Sequence, residues 1–359
     1  MNTSIVKNRT LLLLSLLLLV CGVAPLQAET LETKRKELKR SYSVSANDKI
    51  KLDNRYGNIT VTHWNKNEVE INVEIEAKAR NTKRAEELIE RISVNFDKSS
   101  NVVSATTRLK NGQGGKNESF EIRYHVTMPA TMEAEIRMEF GNVKLPENNP
   151  GRCDLKLQYG NLNAGDFSNE VNIAVAFGDM SIGNTGDLTL KLEYSGSAKV
   201  GDVKNLKLNN QFSTLTMKNA ESINGPVEYG TLTVERLGSA TINLQFSKAT
   251  IQELTGELYL KRQEYSDVKI QRVAPSFSKI TSNANFSTLE LGLDNELSCE
   301  IYATEMEFGS VEVKKGNGLQ AESTKKKHDY HVKINRGGNK EIRFDGNGFS
   351  NLKVKAASH

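Results

Sequence analysis

The stretch Val171-Asn-Ile-Ala-Val-Ala-Phe177-Gly178-Asp-Met-Ser-Ile182 carries the pattern that decides the fold. Apolar residues recur with a period of two before Phe177, which is typical of a strand with one buried face. After the Phe-Gly pair the next apolar residue comes three positions later, so the chain must bend if both strands face one core. We expect the Gly or Ser of such a corner to adopt the unusual backbone angles, because glycine accepts them at little cost.

The same aromatic-Gly/Ser corner recurs along most of the chain at a nearly constant interval. Neighbouring corners are 17 to 22 residues apart, and a repeat of this length indicates a stacked array. The units lack helical periodicity, a propeller blade needs about 40–50 residues, and an up-and-down barrel needs no fixed corner residue. The sequence therefore predicts an all-β fold, a parallel β-solenoid or β-helix. The corner rings are Phe140, Tyr159, Phe177, Tyr194, Phe212, Tyr229, Phe246, Tyr265, Phe286 and Phe308.

Phe and Tyr alternate strictly from Phe140 to Phe286. One interpretation places two units in each turn of the chain, with a Phe column and a Tyr column on opposite sides. The other places one unit in each turn and explains the alternation by duplication of a two-unit block. The sequence leaves both open, with a preference for the first.

The direction of the rings follows from the parity of the strand. Apolar residues two and four positions before each ring share its parity, so we expect the rings to point inward and pack as a ladder. Exposed tyrosines that stack on sugars or anchor a protein partner are the alternative.

The segment 1–28 has the form of a secretion signal. Lys7 and Arg9 precede a leucine-rich segment over 11–20, and Leu26-Gln27-Ala28 is an acceptable cleavage site. The apolar segment is too short to span a membrane, and no later segment is apolar enough. We therefore expect an exported protein that is periplasmic, associated with the outer membrane, or extracellular. Lipoprotein processing at Cys21 is the less favoured alternative, because Val20 is larger than the residue usual before such a cysteine.

Charge gives no sign of a nucleic-acid partner. Without Lys7 and Arg9 the chain keeps 46 basic and 44 acidic residues, which is nearly balanced. Basic clusters occur at 34–36, 39–40 and 325–327. We expect them to be solvated tails, and contact with anionic lipid or polysaccharide is the alternative.

Two cysteines follow the signal, Cys153 and Cys299. About eight units separate them, which places their Cα atoms far beyond the roughly 7 Å that a disulfide allows. The sequence predicts two free thiols within strands.

The array should be capped at both ends, because exposed strand edges invite aggregation. We divide the chain into a signal peptide (1–28), an N-terminal cap region (29–130), β-solenoid repeats (131–315) and C-terminal closing strands (316–359). The cap is predicted to contain one helix over 81–92, with Ala85, Leu88 and Ile92 on its apolar face.

Several of these features together resemble a known family. The signal peptide, the opening Asp53-Asn-Arg-Tyr-Gly-Asn-Ile59, the helix insertion and corners such as Tyr159-Gly-Asn-Leu162 resemble bacterial putative-adhesin β-solenoids, relatives of the auto-transporter adhesin head domains. The resemblance covers nearly all of the mature chain. It implies a β-solenoid at the cell surface or in the envelope, with an adhesive role, and it supplies no catalytic residue.

Residues for catalysis are sparse. No histidine lies between Val126 and Lys327, so the repeats lack the usual general base and metal ligand. His328 and His331 lie in a charged segment where we expect solvation rather than a zinc site. Five repeat carboxylates mostly occupy different phases of the unit, and turn or corner roles explain them best. These are Asp179, Asp187, Asp202, Asp267 and Asp294.

The sequence therefore predicts no catalytic, cofactor-binding or metal-binding residue. The first functional hypothesis is a non-enzymatic exported module of the envelope or surface, structural or adhesin-like, with a surface polysaccharide or an envelope protein as partner. The second is a carbohydrate-active enzyme with carboxylates on adjacent turns of the chain. The third places binding or sensing at the N-terminal cap, where the helix and Trp64 interrupt the repeat.

Overall fold

The computed structural model of this chain describes residues 31–110, 115, 117–316 and 318–357. Within these residues the chain is nearly all β, with one short helix, and every strand belongs to one hydrogen-bonded sheet. The all-β prediction is therefore confirmed. The predicted signal peptide over 1–28 lies outside the described residues, as do Cys21 and His359.

The N-terminal part contains six strands and the helix. Their bounds are β1 (Glu32–Ser43), β2 (Lys49–Trp64), β3 (Glu68–Ala79), α1 (Thr82–Glu90), β4 (Ile92–Ser99), β5 (Val102–Leu109) and β6 (Ser119–Pro129). Strand β2 pairs in parallel with β5 and β6. The pairs β1–β3, β3–β6 and β4–β5 are antiparallel.

Helix α1 is shorter than predicted. Asn81 is its N-cap, and the Asn81 side chain accepts a hydrogen bond from the backbone N–H of Arg84 at 2.9 Å. Ala85, Leu88 and Ile89 are its buried residues. The prediction that the helix reaches Ile92 was wrong, because that residue begins β4 and pairs with Leu109 across the sheet.

The basic clusters near the N-terminus lie in β1, not in a solvated tail as predicted. This edge strand is held by ion pairs from Lys34 to Glu86 at 2.9 Å, from Arg35 to Glu76 at 2.8 Å, and from Lys39 to Glu70 at 3.0 Å. Lysine and arginine on an edge strand oppose pairing with another chain. The charges of β1 therefore protect this end of the sheet from aggregation.

The repeats form the middle of the molecule. Their strands are β7 (Glu133–Lys144), β8 (Asn148–Asn149), β9 (Cys153–Gln158), β10 (Leu162–Asn163), β11 (Asp166–Phe167), β12 (Val171–Ala176), β13 (Met180–Ile182), β14 (Thr185–Glu193), β15 (Ala198–Val200), β16 (Val203–Gln211), β17 (Thr214–Glu228), β18 (Thr231–Gln245), β19 (Lys248–Leu254), β20 (Glu257–Glu264), β21 (Asp267–Val273), β22 (Lys279–Asn285) and β23 (Thr288–Leu293).

Consecutive repeat units lie side by side in the sheet in parallel pairing, and we call each unit a rung. Leu155 lies beside Ile173 in parallel pairing, Ile173 beside Leu190, and Leu190 beside Leu208. The buried side chains of successive rungs thus stack into continuous rows. Our preference for two units in each turn was wrong, because consecutive units are neighbours in the sheet.

The C-terminal part changes the order of the rungs. Its strands are β24 (Cys299–Thr304), β25 (Ser310–Val313), β26 (Ala321–Lys326), β27 (Asp329–Ile334), β28 (Glu341–Asn347) and β29 (Asn351–Ala356). Strand β28 pairs in parallel with β22 on one side and β24 on the other, and β29 lies likewise between β23 and β25. The last rung in sequence is thus inserted between two earlier ones. Antiparallel β27 and β26 follow beyond β24, and the exposed basic cluster 325–327 lies where these two strands join.

The two cysteines agree with the prediction. Cys153 lies in β9 and Cys299 in β24, and both are free and buried. Burial raises the pKa of each thiol to about 12. Both thiols are therefore protonated at neutral pH and serve as small apolar core groups.

Candidate functional site: the exposed aromatic ladder

Ten aromatic rings stack face to face in a single column, which we call the aromatic ladder. Adjacent ring centroids lie 4.8 to 5.2 Å apart, and the ring planes are within 10° of parallel. The column spans roughly 45 Å along the stacking direction of the strands. Its members are Tyr56, Phe140, Tyr159, Phe177, Tyr194, Phe212, Tyr229, Phe246, Tyr265 and Phe286.

The ladder lies on the outside of the molecule. Exposure of its rings from Phe140 to Phe286 ranges from 38% to 52%, so the prediction of inward rings was wrong. Phe308 is not part of the stack. It is 60% exposed and tilts by 38° against Phe349, the ring of the inserted rung.

The backbone conformation of the ladder residues explains why the alternation of the strand did not predict the direction of their rings. All ten ladder residues have φ between 46° and 59°, the left-handed region, which turns the side chain out of the alternation of the preceding strand. A left-handed residue with a side chain costs about 1–2 kcal/mol. Each stacked ring pair contributes about 0.5–1.5 kcal/mol, which offsets much of that cost.

Where glycine follows a ladder ring, it does not adopt the unusual backbone angles that we predicted for it. None of the corner glycines at positions 57, 141, 160 and 178 has a positive φ. They are required by close approach instead, since a Cβ on Gly160 would lie 1.7 Å from the carbonyl oxygen of Gly141. A Cβ on Gly178 would meet the carbonyl oxygen of Gly160 at the same distance.

The later rungs of the ladder use serine at the same corner, except for Gly230 after Tyr229. The hydroxyl of Ser213 accepts a hydrogen bond from the backbone N–H of Ser195 at 2.9 Å and donates one to the carbonyl of Gln211 at 2.7 Å. Ser266 and Ser287 repeat this arrangement with their own neighbours. The buried hydroxyl therefore joins one rung to the next where glycine would leave the N–H without that partner.

A second column of polar side chains follows the first four corners. The side-chain oxygen of Asn58 accepts the backbone N–H of Asn142 at 3.1 Å, and Asn142 does the same for Asn161 at 3.0 Å. Asn161 continues the series to Asp179, whose carboxylate accepts the N–H of Ser197 at 2.8 Å. Asp179 therefore has the structural corner role that the sequence predicted.

Two shallow grooves lie beside the aromatic ladder, and together we call them the ladder groove. These two stretches enclose 450 Å³ near Tyr56 and Phe140 and 360 Å³ between Phe212 and Tyr265. Ladder rings form one wall of the second stretch, and Ser213, Gly230 and Ser247 form part of its lining. The remaining lining residues are Thr214, Thr231, Lys248 and Asp267.

A separate groove of 660 Å³ lies at another corner of the rungs, and we call it the corner groove. Its polar column starts at Asp166, whose carboxylate accepts the backbone N–H of Asn184 at 2.7 Å. The side chain of Asn184 accepts the N–H of Asp202 at 2.9 Å, and the Asn219 amide donates to the Asp202 carboxylate at 2.7 Å. Asp166, Asn184 and Asn219 were not singled out in the sequence, although their spacing of about one rung was visible there.

Of the remaining carboxylates that the sequence singled out, Asp187 and Asp294 each have a structural partner. Asp187 accepts a hydrogen bond from the Asn205 amide at 2.7 Å. The Arg272 guanidinium donates two hydrogen bonds to the Asp294 carboxylate, at 2.8 and 3.0 Å. Asp267 lines the ladder groove.

The histidines and Trp64 have local roles. The His331 ring stacks on Tyr302 at 4.8 Å and places Nε2 2.6 Å from a Glu300 carboxylate oxygen. Trp64 donates its indole N–H to the carbonyl of Glu68 at 2.7 Å. Across residues 31–357, apart from the positions left undescribed, no group of three or more histidine, cysteine or acidic side chains could hold a metal ion.

One substitution at the ladder separates ring stacking from backbone strain. Phe212→Ala is expected to lower the free energy of unfolding by about 2 kcal/mol, because two ring stacks are lost while the left-handed backbone stays. Phe212→Gly loses the same stacks but removes most of the backbone cost, so it should be the less destabilising change. Urea unfolding of both variants tests this order, and a glycine variant less stable than the alanine variant would contradict it.

Comparison with known proteins does not assign this chain to a family. No family model and no curated protein matches it. Among solved structures it is similar to a putative cell adhesion protein from Clostridium sporogenes (12% identity, covering 90% of this chain and 100% of that chain, TM-score 0.22). It is also similar to a putative lipid binding protein from Parabacteroides distasonis (9% identity, 88% and 96% covered, TM-score 0.30). A third is a putative adhesin from Bacteroides fragilis (10% identity, 89% and 97% covered, TM-score 0.22).

These likenesses are too distant to carry an argument about function. In the part of the chain that the structure describes, no helix has the length and apolar character needed to cross a membrane.

Proposed function

We propose that this chain is an exported, non-enzymatic binding module of the cell envelope or surface, built as a parallel β-solenoid. The observation that carries the proposal is the aromatic ladder, because it leaves a continuous line of half-exposed rings on the outside of the molecule. Contiguous exposed apolar surface marks interaction sites in soluble proteins. Aromatic residues also dominate the binding energy of many interfaces.

The rest of the architecture supports a long binding surface rather than a single pocket. The ladder groove runs beside rings at the start of the column and again in its later half, and its described lining is mostly hydroxyl, amide and aromatic. Many weak contacts spread along such a surface suit a polymer or an extended protein partner. We propose a surface polysaccharide or an envelope protein as that partner.

The division of the chain belongs to the same proposal. Residues 29–130 form an N-terminal cap and residues 131–315 form the repeats. Within residues 316–359, only β26 and β27 close the end of the array, because β28 and β29 lie between other strands of the sheet.

The corner groove favours the alternative function, a carbohydrate-active enzyme. Asp166 and Asp202 line it two rungs apart, and two rungs correspond to about 9.6 Å. Inverting glycosidases place their carboxyl groups about 6.5–9.5 Å apart. Both carboxylates, however, hold hydrogen bonds from neighbouring rungs, which favours a structural role.

Fractionation and binding assays on the mature chain test the proposal. We expect the protein in the envelope or the medium, and we expect it to bind isolated envelope polysaccharide or envelope protein without releasing reducing sugar. Release of reducing sugar that Asp202→Asn abolishes, with Asp187→Asn as the matched control, would support the enzyme instead. Recovery of the protein from the cytoplasm alone would contradict the proposed location.

A further inference from the structure

The aromatic ladder alternates Tyr and Phe without exception through all ten rungs. Tyr56 extends the alternation although most of the N-terminal cap region lies between it and Phe140, its neighbour in the stack. Tyrosine therefore occupies every second rung. Since adjacent ring centroids lie about 4.9 Å apart, the phenol groups repeat at roughly 9.8 Å along the aromatic ladder.

The stacked geometry restricts what the rings can contact. Neighbouring rings cover both faces of every ring within the column, so a sugar cannot lie flat on a ring face. Ring edges remain exposed, and these carry partial positive charge that favours oxygen atoms of a ligand. Within the described residues, the hydroxyls of the half-exposed Tyr159, Tyr194, Tyr229 and Tyr265 have no hydrogen-bond partner in the protein.

The backbone of the ladder groove leaves no place for an added β-strand. The N–H of Tyr229 bonds the carbonyl of Gln245 at 2.9 Å, and the N–H of Lys248 bonds the carbonyl of Gly230 at 3.0 Å. The N–H of Gly230 bonds the Ser247 hydroxyl at 3.1 Å. Strand addition requires unpaired main-chain groups, so the groove suits a ligand that binds side chains instead.

The other wall adds hydroxyl and charged groups at the same rungs. Thr214 and Thr231 lie beside each other on adjacent rungs, followed by Lys248 and Asp267. Threonine and tyrosine hydroxyls both donate and accept hydrogen bonds, as the hydroxyl groups of a sugar do. One positive and one negative charge in this stretch favour a ligand without a high net charge.

We propose that the ladder groove binds one extended β-1,4-linked glycan chain, aligned with the stack of rungs and held by a tyrosine hydroxyl at every second rung. Successive sugars of such a chain are turned over, so the same edge recurs with every second sugar. One pyranose unit is about as long as one rung is tall, which matches one disaccharide to each tyrosine. This inference rests on the proposed binding function and names its ligand class.

Calorimetric titration of the mature chain with three hexasaccharides tests the inference. The probes are the β-1,4-linked hexamers of N-acetylglucosamine and of glucose, and the α-1,4-linked hexamer of glucose. The variant is Y159F/Y194F/Y229F/Y265F, which removes four hydroxyls and keeps every ring. The matched control is Tyr302→Phe, because Tyr302 is 37% exposed and stacks on His331 outside the ladder.

We expect at least one β-linked hexamer to bind, and the α-linked hexamer to bind at least tenfold more weakly. The fourfold variant should lose at least tenfold in affinity for the β-linked hexamer and unfold at the same urea concentration as the parent chain. The control should bind as the parent does. Equal binding of both linkages, no binding of either β-linked hexamer, or equal affinity of the fourfold variant would overturn the inference.

Failure of this inference and failure of the proposed function are distinguishable. If the four tyrosine substitutions leave the binding of envelope material unchanged, the inferred role of the tyrosine hydroxyls is overturned. The proposed binding function then still stands. Cleavage of a hexamer overturns the non-enzymatic function itself.

Discussion

Replacing Gly160 by alanine is expected to lower the free energy of unfolding by about 3 kcal/mol. The new Cβ would lie 1.7 Å from the carbonyl oxygen of Gly141 and 2.6 Å from its carbonyl carbon. Both are backbone atoms of the neighbouring rung, so the two rungs must separate. Urea unfolding followed by circular dichroism measures the loss.

Gly186→Ala is the matched control for this substitution. No atom lies within 4 Å of a Cβ built on Gly186, and the residue has no positive φ. Alanine there should be neutral or stabilising by a few tenths of a kcal/mol, because it reduces the freedom of the unfolded chain. Equal stability of the two alanine variants would contradict close approach as the reason for glycine at the corner.

The second large effect is expected at the inserted rung. Phe344 in β28 is fully buried, so Phe344→Ala should cost about 3–5 kcal/mol through lost burial and the cavity left behind. Hydrogen exchange of the variant should show lost protection in both β22 and β24, since β28 pairs with each of them.

Phe349 supplies the comparison within the same rung. It is 64% exposed and tilts against its ring neighbours, so Phe349→Ala should cost less than about 1 kcal/mol. If Phe344→Ala left the protection of β24 unchanged, the insertion of the last rung between β22 and β24 would be wrong.

The sequence predicted the strands of the repeats well, because apolar residues alternate along each strand in the same way as buried positions do. Alternation before Phe177 matches β12, and the interval from one corner to the next matches the register in which Ile173 pairs with Leu190. Free, buried cysteines followed from the same spacing. Periodicity could therefore give strands and corners, whereas the number of units in each turn of the chain stayed open and our preference for two was wrong.

Two features lay beyond that reasoning. The parity rule assumes extended backbone at every residue, so it placed the left-handed rings on the wrong side. The rule also treats rungs in chain order, whereas β28 lies between two strands that both come earlier in the chain. The exposed ladder was the more costly miss, because the sequence analysis kept exposed rings only as the less favoured alternative.

The position of β28 and β29 between earlier strands determines the order in which the sheet can form. During synthesis, β22 and β24 are made before residues 341–356, and each lacks a neighbouring strand on one side until those residues arrive. The final closure is thus made by strands that are synthesised after both of their neighbours. A chain cut ahead of residue 341 would therefore leave β22 and β24 without the strand that joins them.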